Sequence, residues 1–111
     1  MSFQRACSLA ELPVGSVLAV DLGGDADIAV VNTAEGLFAI TDRCSHADVP
    51  LSEGEVDGCT LECLAHGSRF DLRTGRPLEP PAVAPVSVFP IRADATDIFI
   101  DTDNPIDIQE Q

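Results

Sequence analysis

The stretches CSHADVPLSEG, residues 44–54, and CLAHGSRFDLRTG, residues 63–75, decide how this chain is read. The first opens as C-x-H with Cys44 and His46, the second as C-x-x-H with Cys63 and His66. Sixteen residues separate the two pairs, which contain both histidines of the protein. Thiolate sulfur is a soft ligand suited to iron–sulfur, zinc and copper, and neutral imidazole suits zinc and iron. Cysteine and histidine delivered as matched pairs in turn-rich stretches therefore mark a metal site.

Outward from these stretches the pattern is that of β-structure. Ser16 to Asp21 (SVLAVD), Asp27 to Thr33 (DIAVVNT) and Leu37 to Thr41 (LFAIT) are short apolar runs with β-branched residues. Gly23-Gly24-Asp25 and Glu35-Gly36 separate them as turns, so an antiparallel meander is expected. Val86 to Ile91 is expected to pair with Asp97 to Asp101 across Asp94-Ala95-Thr96. Ser8-Leu9-Ala10-Glu11 has a capping-box pattern stopped by Pro13, which allows a turn or two of helix. Between the β-rich blocks, Arg43 to Pro85 holds the paired ligands and few apolar runs that make a core. It reads as an insertion between strands, ordered largely by its metal. The expectation is one all-β domain over residues 1–111, an antiparallel β-barrel or sandwich. Its basal part spans about 1–42 and 86–111, with an inserted metal-binding lobe at about 43–85. The acidic tail after Asp103 is expected to fray.

A chain of 111 residues is one domain with a small core. Nineteen acids face six arginines and no lysine, for a net charge of −13. Such a balance excludes nucleic acid and anionic membranes as electrostatic partners and favours partners with a basic docking surface. No apolar run is long enough to span a bilayer. The first residues, Met1-Ser2-Phe3-Gln4-Arg5, lack the pattern of a signal peptide, so a soluble cytoplasmic monomer is expected. Arg43, Arg69, Arg73 and Arg76 cluster in or near the ligand stretches. They are expected to pair with nearby acids such as Asp71 and Glu79, or to form a mixed-charge rim for a partner. Cys7 and Cys59, outside the pairs, read as small buried apolar residues.

The order of the ligands separates two metal chemistries. Zinc fingers take both cysteines from one turn and both histidines from another. Here each turn supplies one of each. A Rieske-type [2Fe–2S] cluster has two cysteines on one iron and two histidines on the other, which two mixed loops side by side would satisfy. A structural zinc in an interaction module is the competing reading from another class.

The two stretches resemble the cluster loops of Rieske-type ferredoxins, the electron-carrying component of bacterial aromatic-ring-hydroxylating dioxygenase systems. Pro80-Pro81-Ala82 is similar to the proline-bearing third loop that covers the cluster in that family. The resemblance implies that Cys44 and Cys63 bind the inner iron and His46 and His66 the outer one. Read from the residues themselves, Leu51 and Phe70 are apolar core-packing positions, a role that also anchors each loop to the barrel. The branch in cytochrome complexes, as the resemblance implies, adds a cysteine to each loop, a disulfide between them and a nearby tyrosine. Here those positions are Val49 and Ala65, and the chain has no tyrosine. Ser68 does stand where the high-potential branch has a serine. The second loop departs from the C-P-x-H of ferredoxins, with Leu64 for proline and a small Ala65.

The function implied is one-electron transfer, with one [2Fe–2S] cluster as cofactor and no catalytic residues. The partners implied are a flavin-dependent ferredoxin reductase and a terminal Rieske oxygenase. The small subunit of an assimilatory nitrite reductase, which has a similar domain, is the alternative within the same chemistry. Without the disulfide and the tyrosine, in so acidic a protein, the potential is expected in the lower part of about −150 to +300 mV.

Overall fold

A computed structural model describes residues 3–23, 27–43, 49–64, 68–78 and 85–106. Nine strands occur among them: β1 Phe3–Ser8, β2 Ser16–Val20, β3 Ile28–Thr33, β4 Gly36–Thr41, β5 Glu55–Asp57, β6 Thr60–Glu62, β7 Arg69–Asp71, β8 Ile91–Ala93 and β9 Asp97–Asp101. They form three antiparallel sheets of three strands, ordered β1-β9-β8, β2-β3-β4 and β5-β6-β7. Two single turns of 3-10 helix, Leu9–Glu11 and Leu51–Glu53, are the only helical pieces among the described residues.

The apolar run of β3 explains the layering. Ile28, Ala29, Val30 and Val31 are all buried, so neither face of this strand meets water. Successive strand residues point to opposite faces. Ala29 and Val31 accordingly join one core with Leu51, Leu61, Cys63, Phe70 and Leu72, the side of the β5-β6-β7 sheet. Val30 and Ile28 join a second core with Cys7, Leu12, Ile98 and Ile100, the side of the β1-β9-β8 sheet. The middle sheet is thus covered on both faces, and the β5-β6-β7 sheet shares a core with it. Its inner row is Val56, Leu61 and Phe70, opposite one another in register, while Glu55, Glu62 and Arg69 form a row on the outer face.

The expected meander is present as β2-β3-β4. The last hairpin is shifted from the expected one. Its first strand is Ile91–Ala93, and Val88 makes only isolated bridges, to Ile40 and Ile106. Pro90 has no N–H for the ladder, which moves the strand start past it. Val88 carries the tail as well. Ile106 donates its N–H to the Val88 carbonyl at 2.7 Å, so the chain is pinned as far as Ile106, while the rest of the tail expected to fray lies outside the described residues. Asp101 adds to this, accepting bonds from Asp103 N and Asn104 Nδ2 at 3.0 Å each. The capping-box pattern yields only the Leu9–Glu11 turn, and Ser8 makes no side-chain cap bond. β1 and the three strands of the lobe are additions to the sequence-based expectation.

Candidate metal centre

Each of the three loops that would carry the site is closed at its base by described residues. The first leaves β4 at Thr41. The next residue, Asp42, is buried and grips Ser52 with both carboxylate oxygens: Oδ1 accepts from Ser52 N at 2.6 Å and Oδ2 from Ser52 Oγ at 2.7 Å. The second loop is the tip of the β6–β7 hairpin, where Cys63 N donates to the Ser68 carbonyl at 2.7 Å. That bond extends the ladder one step beyond the Glu62–Arg69 pair. The third loop starts beside β7, with Leu78 N bonded to the Arg69 carbonyl at 2.7 Å, and closes where Val86 N meets the Gly75 carbonyl at 2.8 Å.

Two glycines let these bases touch. A Cβ on Gly54 would lie 1.7 Å from the Glu62 carbonyl oxygen, so the end of the first loop abuts the residue before Cys63. Gly75 has φ of +77°, and a Cβ there would lie 2.1 Å from the Val86 oxygen. Only glycine meets both conditions at that position. The first loop therefore ends against the start of the second, and the third starts against the end of the second.

Of the expected ligands, Cys63 is described; it is fully buried and free of any disulfide. Ser68, its hairpin neighbour, is fully buried too. Cys44, His46 and His66, with Pro80-Pro81-Ala82 and Ala65, lie outside the described residues. Leu51 and Phe70, the expected anchors, have no exposed surface and pack in the core that contains Cys63.

The other two thiols are elsewhere. Cys59 is buried at the β5–β6 turn, its Sγ 3.9 Å from Thr33 Oγ1. Four strand residues at about 3.3 Å each put it roughly 13 Å from Cys63. Cys7 is buried in the second core, where burial first, and then Glu11, push its thiol pKa up. Arg73 does not pair with Asp71 as expected. It forms an ion pair with Glu35, while its backbone N–H donates to Asp71 Oδ1 at 2.9 Å. The sequence alone did not single out the Asp42–Ser52 clasp or the Gly54 contact. Their signal was an Asp two residues before Cys44 and a Ser-Glu-Gly run at the end of the first stretch.

A two-iron cluster suits this frame. A cysteine with no exposed surface can stay a thiolate only where a bound cation compensates its charge, and a cluster iron would supply that cation at Cys63. The three loop bases, brought together through Gly54, Glu62 and Arg69, would carry both ligand stretches and the proline segment to one place.

Residues 2–90 match the family described as Rieske [2Fe-2S] domain. The chain belongs to this family, whose cofactor is one Rieske-type [2Fe–2S] cluster. It is similar to the biphenyl dioxygenase ferredoxin subunit of Pseudomonas sp. strain KKS102, 38% identical over 91% of this chain and 93% of that one. Its fold is similar to the ferredoxin of carbazole 1,9a-dioxygenase from Nocardioides aromaticivorans IC177, with a TM-score of 0.83, 34% identity and coverage of 90% and 97%. It is also similar to a chain in the complex of reduced oxygenase and oxidized ferredoxin of carbazole 1,9a-dioxygenase. There the TM-score is 0.82 with 30% identity, over 88% of this chain and 91% of that one.

Proposed function

We propose that Cys44 and Cys63 hold one iron of the cluster and His46 and His66 the other. On this reading residues 1–111 form a single Rieske domain, with a cluster-binding lobe at about 43–85 on a basal β domain of about 1–42 and 86–111. The protein is an electron carrier rather than a catalyst. When bound, the cluster supplies a single-electron redox couple. The residues described here keep water from Cys63, fix the hairpin that holds it and clamp the neighbouring loop through Asp42 and Ser52. Two neutral histidines in place of thiolates leave the site less negative, which favours accepting an electron.

The donor of that electron is a flavin-dependent ferredoxin reductase, and the acceptor is the terminal oxygenase of an aromatic-ring-hydroxylating dioxygenase. The protein works in the cytoplasm as a monomer. The observation that carries this reading is the fully buried, disulfide-free Cys63 at a hairpin tip flanked by the closed bases of two further loops.

Purified protein should contain iron and acid-labile sulfide in equal amounts and be red-brown. After chemical reduction it should be reoxidised by at least one of a panel of terminal oxygenases that includes those of the biphenyl and carbazole systems. Zinc without colour would reject the cluster. An intact cluster that no oxygenase of the panel reoxidises would reject the partner.

A further inference from the structure

We infer that a patch formed by Leu64, Glu55 and Glu62 receives a lysine or arginine of the terminal oxygenase, an inference that rests on the carrier function proposed above. Gly54, Glu55, Glu62 and Leu64 enclose an open cavity of about 110 Å³. Leu64 is bonded directly to Cys63 and leaves 63% of its surface exposed. An exposed leucine in a ligand-bearing loop, where the cysteine before it is fully buried, gains nothing for the fold. Leu78, 52% exposed, stands at the other end of the same outer row through its bond to Arg69.

The charges of this wall point the same way. Glu55 and Glu62 are directly opposite in the β5–β6 register, so both carboxylates leave the same face of the sheet. Like charges in that relation oppose strand pairing. Neither takes part in the ion pairs found among the described residues, which join Arg5 to Asp97 and Arg73 to Glu35. Arg69 follows Glu62 in the row, so the carboxylate pair lies toward the β5 edge and the cavity. A partner ammonium or guanidinium entering beside Leu64 would relieve the repulsion, and its carbon stem would cover the leucine. The size of the cavity suits one side chain rather than a small-molecule substrate. The overall charge of −13 steers a basic partner to the protein, and the patch gives it a point of register one residue from a cluster ligand.

The experiment measures electron transfer from reduced holoprotein to the oxygenase of the panel that reoxidises the wild type fastest, by stopped flow across ionic strength. The Glu55→Gln/Glu62→Gln double variant is compared with Glu11→Gln/Asp103→Asn, which removes the same charge from exposed positions outside the lobe. Leu64→Ala is the third protein. The expected result is a second-order rate lowered about tenfold at low salt by the first pair, with a flatter salt dependence. The control pair should have a much smaller effect. Leu64→Ala should slow transfer at all salt concentrations. Visible spectrum and iron content should stay at wild-type values in all three, which separates docking from damage to the cluster. Equal slowing by both acidic pairs would mean bulk steering alone and would overturn the inference, as would unchanged rates. In either case wild-type transfer leaves the carrier function standing. If no oxygenase takes an electron from the wild type, both the function and the docking patch fall.

Discussion

At the scale of single residues, the three described cysteines sit in three different settings. Cys63 is buried beside Ser68 at a hairpin tip, Cys59 sits at the other end of β6 near Thr33, and Cys7 belongs to a different core. His66→Ala should yield protein without a stable cluster, read as lost visible absorbance and iron content. Cys59→Ser should keep both. Bleaching by Cys59→Ser would overturn the ligand set. The Cys7 thiol has a raised pKa in the folded state, so at alkaline pH the unfolded chain ionises first and the folded one holds its proton longer. The unfolded state then binds fewer protons, and stability falls as pH rises. The window opens near the ordinary value of 9.0 and runs upward through the raised folded value. Urea midpoints from pH 8 to 10.5 should decline with a slope contribution of at most ~1.4 kcal/mol per pH unit from this group, and Cys7→Ala should remove it.

At the scale of elements, the loops depend on their closures. Asp42→Ala deletes both acceptors of Ser52 and leaves a buried gap, which should cost about 2 kcal/mol and shorten the lifetime of the colour in air. Asp42→Asn keeps an oxygen for Ser52 N, and its amide can donate to Ser52 Oγ, so the cost should be about half as large. Equal losses in the two variants would show that the carboxylate does not act through Ser52. Gly75→Ala forces a Cβ against the Val86 carbonyl at positive φ and should destabilise by about 2 kcal/mol or more, measured by thermal melting. These closures also show what a sequence reveals. The meander was legible because β-branched runs carry their own period, and the family was legible because paired cysteine and histidine carry their own chemistry. β5, β6 and β7 were missed because strands of three residues are too short to display alternation. Val86 to Ile91 misled because its apolar residues serve two bridges around Val88 rather than a ladder interrupted at Pro90. The Asp42–Ser52 pair spans ten residues, a separation that no local pattern exposes.

At the scale of the molecule, the question is how far the lobe depends on its metal. The sequence, poor in apolar runs between Arg43 and Pro85, suggests a segment ordered largely by binding. The structure gives this segment an apolar inner row. Leu61 and Phe70 are fully buried, and they share a core with Ala29, Val31 and Ile40 of the middle sheet. That burial does not require iron. Next to this core the described residues Leu64 and Arg43 are exposed, so they add little apolar burial at the hairpin tip and at the start of the clasped loop. Removing the cluster with a chelator under reducing conditions should therefore split the lobe's behaviour. Far-UV circular dichroism should change little, and amides of Leu61 and Phe70 should stay protected from hydrogen exchange. The Cys63 amide, bonded to Ser68 across the tip, should exchange much faster. The melting temperature should fall by roughly 10 °C, which for a domain of this size corresponds to about 2 kcal/mol. Loss of protection at Leu61 and Phe70 together with Cys63 would instead show the whole lobe folding only around its metal, with the shared core too weak to hold it.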